Sequence, residues 1–335
     1  MGRRILVFLA GAIVAGCGGG GGDSGSAAAP APTASANITS QNAVQIAGAS
    51  TDAALSSGEF DEFVDLGLFG APATATVVQS GGDASVSLAR KTARLQAETA
   101  EVSVGPETTE CDMGGFMTIS ATIADSETLS AGDTFSLSYM DCDYGDGMVA
   151  NGSIAFTVTA FDGDLLGEQF ELGFSLDIDS LELADSTEDT MIDGDLSMSM
   201  SVVGTTSSVT VSADSLDLSN GTDSFSLSQF STTATIDSSM FPTSYSLQTS
   251  GYLMSSEFDG EVHFSTSTAL QGSGEGNPVG GEFVITGADD ATVTVIPMDE
   301  QNVRVELDLD GDDAVDEDGV IDVSWPEFLD TVEQG

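Results

Sequence analysis

The stretch Gln169-Phe170-Glu171-Leu172-Gly173-Phe174-Ser175-Leu176-Asp177-Ile178 decides the fold class. Apolar side chains fall on every even number and polar ones or glycine on every odd number. A two-residue period is the geometry of an extended strand, whose successive side chains point to opposite faces. The same alternation recurs in both directions. Leu196, Met198, Met200 and Val202 alternate with Ser197, Ser199 and Ser201, and Val209, Val211 and Ala213 follow. The phase then flips to Leu216 and Leu218, which predicts a β-bulge near Asp214. Further strands carry Ile154/Phe156/Val158, Phe225/Leu227, Val262/Phe264, Val293/Val295 and Val303/Val305/Leu307. Asn151-Gly152, Asp162-Gly163, Asp193-Gly194 and Asn220-Gly221 read as turns. Regularly spaced strands of this kind predict a large antiparallel meander. One face of each strand is apolar and the other Ser, Thr and Asp, so each buries one side. A flat sheet would leave that side wet. The expectation is a mainly all-β chain curled into a barrel or half-barrel, with a two-sheet sandwich as the alternative.

Upstream the pattern differs. Residues Ile38 to Val64 are Ala-rich with a Ser40 cap candidate, and Ser87 to Glu101 surround Leu88-Ala89-Arg90-Lys91-Thr92-Ala93-Arg94-Leu95; both predict short helices. The second carries the one basic cluster, read as internal pairing with the chain's own acids rather than docking on anionic headgroups. The organisation expected is a signal peptide at 1–16, a lipidated flexible tether at 17–37, a mainly helical segment at 38–110 and an antiparallel β domain at 111–330.

The start supplies an address. Arg3-Arg4 precede the apolar run Ile5 to Ala15, and Val14-Ala15-Gly16-Cys17 follows. A charged start and a short apolar run form a secretory signal. Eleven residues fall short of the ~20 that a spanning helix needs. The segment before Cys17 resembles the bacterial lipobox, which implies that Cys17 is acylated and becomes the new N-terminus. Gly18 in place of Asp implies passage to the outer membrane rather than retention at the inner one. With Cys17 acylated, Cys111 and Cys142 remain, and two cysteines in an exported chain suggest a disulfide.

Composition excludes whole classes of partner. The 335 residues hold 6 Lys+Arg and 55 Asp+Glu, a formal net charge of −49. Nucleic-acid binding needs clustered Lys and Arg, so it is excluded. A surface so acidic and lysine-poor suits high salt, where counterions screen its self-repulsion.

The richest candidate site is Glu306 to Asp318, with eight carboxylates in thirteen residues. Asp308, Asp310, Asp312 and Asp316 occupy positions one, three, five and nine of a calcium loop, and Ala314 would give its carbonyl at seven. Asp313 replaces the turn glycine and Gly319 stands where a bidentate Glu belongs. The flanks, Val303 to Leu307 and Val320 to Trp325, read as strands. The two readings are a calcium-clasped hairpin with Kd of about 10⁻⁴–10⁻³ M and a plain acidic turn. Trp325 would then report on the loop by fluorescence.

Cys111-Asp112-Met113-Gly114-Gly115, Leu129-Ser130-Ala131-Gly132-Asp133, Cys142 and Asn151-Gly152-Ser153, with Asp308-Leu309-Asp310-Gly311-Asp312 and Ser324-Trp325-Pro326-Glu327, together resemble a group of uncharacterised proteobacterial exported lipoproteins. The resemblance covers Cys111 to Phe328 with gaps. It implies a paired Cys111 and Cys142 and an outer-membrane address, and it implies no activity.

No catalytic constellation emerges. His263 lies between Val262 and Phe264 on the opposite face, as a surface strand histidine. No nucleophile elbow, phosphate loop or zinc motif is present. The expected function is a non-enzymatic, outer-membrane-anchored envelope lipoprotein, calcium-stabilised at the hairpin. Its partners are the membrane, through the lipid, and no nucleic acid. Two alternatives stand. One is a periplasmic carrier of a hydrophobic ligand or lipid, motivated by Met198, Met200, Phe170 and Phe174. The other is a glycan-active surface protein.

Overall fold

In the computed structural model, the described residues are 35–56 and 102–330, apart from 112, 125–129, 144–148, 164–168, 185–188, 221–222, 240, 257, 275 and 313. Helix α1 (Ala43–Ser56) comes first. Fourteen strands follow: β1 (Val102–Glu110), β2 (Gly114–Ile123), β3 (Thr134–Asp143), β4 (Val149–Gly163), β5 (Gln169–Ala184), β6 (Asp189–Val203), β7 (Thr206–Asn220), β8 (Asp223–Asp237), β9 (Ser244–Ser255), β10 (Glu261–Ser273), β11 (Gly280–Thr286), β12 (Thr292–Pro297), β13 (Asn302–Asp308) and β14 (Val320–Ser324). A short helix, α2 (Trp325–Asp330), closes the described chain.

The strands form one antiparallel sheet in which spatial order equals chain order, from β1 to β14. The sheet is not closed, and a single sheet is not a sandwich. Its apolar side is buried along its length: Ile154, Val158, Leu172, Leu181, Leu253, Phe264, Phe283, Val293 and Val305 all lie inside. A flat sheet could not bury one face so completely, so this one curls into a half-barrel. Phe264 bridges Phe230 and Phe283, with ring centroids at 6.3 and 5.7 Å.

Helix α1 packs on β9, β11, β12 and α2. It presents Ala43, Ile46, Ala47, Ala53 and Ala54, all buried, and the small side chains let it lie close to the sheet. It begins at Ala43 rather than at Ile38, and residues 57–64 of the helix the sequence suggests lie outside the described residues. Ser40 does not cap it; Asn42 Oδ1 accepts the Thr39 N–H at 2.7 Å in the turn before the helix. The helix expected at Ser87 to Glu101 lies outside the described residues. The sheet also begins before Cys111: Val102–Glu110 is its first strand, not part of a helical segment.

Two of the four turn signals lie inside strands, opposite bulges in the neighbouring strands. Gly152 lies within β4 and Gly194 within β6, at φ 108° and 138°. A Cβ there would meet Ser180 O at 2.4 Å and Ser215 O at 2.3 Å, so only glycine fits. The residue before each serves the neighbouring strand. Asn151 Oδ1 accepts the Asp141 N–H at 2.8 Å, and Asp193 Oδ2 accepts the Ser180 N–H at 3.0 Å. Asp141 and Ser180 are themselves left-handed, at φ 51° and 50°. The bulge expected near Asp214 is present: the β6–β7 register slips between Gly194↔Leu216 and Ser197↔Ser212.

Odd-numbered strands all run toward one rim of the half-barrel. That first rim carries the β1–β2, β3–β4, β9–β10, β11–β12 and β13–β14 connections. Ser35 enters the fold there, as a parallel bridge to Glu261, and Ala288 N–H donates to Ala36 O at 2.7 Å. The Cys111–Cys142 disulfide lies on the same rim, with Cα atoms 5.4 Å apart, and ties the β1–β2 turn to the end of β3. The β8–β9, β10–β11 and β12–β13 turns lie on the second rim.

Candidate metal centre

Strand β13 ends at Asp308 and β14 begins at Val320, so the acidic stretch is the connection between two paired strands. The pair is pinned below the loop by Arg304, whose Nε and Nη2 donate to the two Asp322 oxygens at 2.8 and 3.2 Å. Above it, Leu307 N–H donates to Gly319 O and Asp316 N–H to Leu307 O, both at 2.8 Å. These bonds fold the connection back on itself.

Inside the loop the carboxylates organise their own backbone. Asp308 Oδ1 accepts from Gly311 N–H at 2.9 Å and Asp312 N–H at 3.3 Å. Asp312 Oδ1 accepts from Ala314 N–H at 3.0 Å, and Asp316 Oδ2 from Leu309 N–H at 3.1 Å. Short acidic side chains that bond the backbone two to four residues on build tight turns. The result brings Asp308, Asp310 and Asp312 together, with one carboxylate oxygen from each lying within 4.8 Å of the others. Asp308 is buried, while Asp310 and Asp312 are exposed. This group could hold a metal ion.

The electrostatics match that arrangement. The Asp310 carboxyl is raised above its ordinary value by the charge of Asp312, then by partial loss of hydration, with Asp308 and Asp316 adding smaller repulsions. Like charges held close favour the protonated form or a bound cation. The loop also lies against the β11–β12 turn, where a Cβ on Gly311 would come 2.8 Å from Asp289 O. Asp289 and Asp290, both left-handed, thus add two acids beside the cluster.

Asp316 is outside the convergent group, with Oδ2 engaged by Leu309. Ala314 donates its N–H to Asp312. Gly319, where a bidentate Glu would complete an EF-hand, has no room for one: a Cβ would sit 2.7 Å from Leu307 O. Trp325 is not on a strand beside the loop. It opens α2, buried at 1%, and its indole Nε1 donates to Asp299 O at 3.1 Å in the β12–β13 turn. The five residues of β14 put it about 17 Å from the acidic loop, on the second rim. The missed signal was Ser324-Trp325-Pro326-Glu327. Ser324 Oγ accepts the Glu327 N–H at 3.3 Å, a helix N-cap.

Elsewhere the expected chemistry is structural. His263 is half-buried beside Tyr252, ring centroids 5.0 Å apart, on the face opposite buried Val262 and Phe264. Asp133, quoted in the resemblance, is buried and accepts from Ala124 and Ser130 N–H groups at 2.8 Å each, holding the approach to β3. Cys17 lies outside the described residues. Among the described residues no helix is long and apolar enough to cross a membrane. Against known protein families, curated proteins and solved structures, the chain has no match.

Proposed function

We propose that this chain is an outer-membrane-anchored lipoprotein of the cell envelope with a non-enzymatic structural or interaction role, and that calcium stabilises its β13–β14 hairpin. The convergence of Asp308, Asp310 and Asp312 carries the calcium part. Hard oxygen donors suit calcium, and a loop with few committed ligands binds it weakly. The Cys17 motif and the Cys111–Cys142 disulfide support the exported address. The side chains that motivate a ligand carrier speak for a packed scaffold instead: Phe174 and Met200 are buried, and Phe170 and Met198 pack against the same core.

Native mass spectrometry of the purified chain tests this reading, with and without calcium. Bound calcium without co-purified lipid is the expected result, and a retained lipid would favour the carrier. Calcium at tenfold over Kd adds about 1.4 kcal/mol. In a domain of this size that raises Tm by about 3–5 °C. Magnesium, which resists dehydration, should do less. Asp310→Ala with Asp312→Ala should abolish the rise; an unchanged response would reduce the loop to an acidic turn. Trp325 emission should stay silent, given its distance from the loop.

A further inference from the structure

The first rim gathers three features that the sequence scatters: the point where the N-terminal segment enters the fold, the disulfide, and a cluster of exposed apolar side chains. Phe116 and Met140 are register partners on β2 and β3, so their Cβ atoms are about 5 Å apart. Met113, in the β1–β2 turn, donates its N–H to Asp143 O at 3.0 Å and so lies over the same strand ends. Their exposures are 72% for Met113, 41% for Phe116 and 59% for Met140. Large apolar groups gathered at one edge of a polar surface mark a contact face.

We propose that the first rim is the membrane-facing end of the molecule, with Met113, Phe116 and Met140 resting on the bilayer that holds the Cys17 lipid. This rests on the acylation of Cys17 proposed above. The argument for that occupant is the length of chain before Ser35 and where it ends. Gly18 to Ala34 is 17 residues, which span at most about 60 Å. An unrestrained glycine-rich chain of that length averages about 23 Å end to end. Ser35 joins the fold on the first rim, so that rim reaches the bilayer with the segment at its natural length. The second rim also exposes apolar groups, Phe241 at 100% and Met298 at 49%. To bring that rim down, the segment would have to run back beside β10, whose 13 residues are about 43 Å long. That demands about twice its natural span and a corresponding loss of chain entropy. Anchoring therefore favours one orientation. The many acids of the first rim, Glu110, Asp141 and the β13–β14 loop among them, then face the headgroups, where divalent cations screen the repulsion.

The exposed methionines provide the test, because oxidation to the sulfoxide requires access. The full acylated chain is reconstituted in phosphatidylethanolamine/phosphatidylglycerol vesicles with millimolar calcium and treated with hydrogen peroxide. The Cys17→Ser chain is treated alongside, mixed with the same vesicles. Peptide masses give the oxidation rate at each methionine, and the N-terminal peptide mass and vesicle flotation report acylation. Met113 and Met140 should oxidise several-fold more slowly in the anchored chain, with Met298 unchanged. Protection of Met298 instead, or equal rates everywhere in a chain that is acylated and floats, overturns the orientation while leaving the anchor intact. A chain that carries no lipid overturns the anchor, and this inference with it.

Discussion

Among the described residues, Asp310 is a carboxylate held above its ordinary value. Its carboxyl is raised mainly by Asp312, with partial loss of hydration second. A raised carboxyl pKa gives a penalty fully present above the folded-state value and gone below the ordinary value of 3.8. Asp310→Asn should therefore raise Tm in chelator at pH 7, and the gain should shrink to nothing as pH falls below that ordinary value. Thermal scans from pH 7 to 3 check this; a gain that persists in acid would show that charge is not its source. Asp299 and Asp322 work in the other sense. Backbone bonds from Gln301 and the Arg304 guanidinium, respectively, hold them below the usual range, so what they add is lost in acid. The metal-loop spacing was legible at this scale because alternate acids ahead of a glycine project to one side of a turn. The position of Asp316 outside the group was not, because it depends on which backbone N–H its carboxylate captures.

Among elements, the disulfide has the clearest consequence. It closes a loop of 31 positions and joins the β1–β2 turn to β3. On the chain-entropy estimate its loss costs about 3–4 kcal/mol. Cys111→Ala with Cys142→Ala should lower Tm by about 6–15 °C, and non-reducing peptide mapping of the native chain should find the cross-linked pair. Free thiols at both positions would refute the bridge. Strand periodicity read correctly because each strand buries one face. The Asn-Gly and Asp-Gly pairs misled because a hairpin turn and a β-bulge ask for the same chemistry: a residue with positive φ beside a short side-chain acceptor. Only the cross-strand partner tells them apart, with Asp141 for Asn151 and Ser180 for Asp193. The strand Val102–Glu110 was hidden by its composition, since Gly105, Pro106 and the four polar residues that follow break the alternation at the open edge of the sheet.

For the whole molecule, charge dominates. With a formal net charge of −49, compacting the chain brings like charges together throughout. Only one ion pair, Arg304–Asp322, is present among the described residues, and such an exposed pair contributes at most about 1 kcal/mol. Sodium chloride should therefore raise Tm progressively, with most of the gain reached once the screening length falls to a few ångströms, near about 1 M. A flat or falling Tm across a salt series would show that the acids are already neutralised locally. Fold class was legible at this scale, because a single apolar face forces a sheet to curl. The cover that α1 provides was not, since Ala-rich helices carry little sign of what they lie against.

The identity of spatial and chain order across β1 to β14 bears on biogenesis. A chain synthesised N-terminus first always finds its next pairing partner already made, so each strand can zip onto a finished edge with minimal loop closure. Helix α1 is the exception: it is synthesised first, yet its seat is made largely by β11, β12 and α2, from the last third of the chain. The leading end of the polypeptide must therefore wait undocked until the trailing end arrives. A nascent chain stalled before β11 would present a growing sheet with no roof over its final apolar strands, and that is the stage at which a holding chaperone would have most to cover.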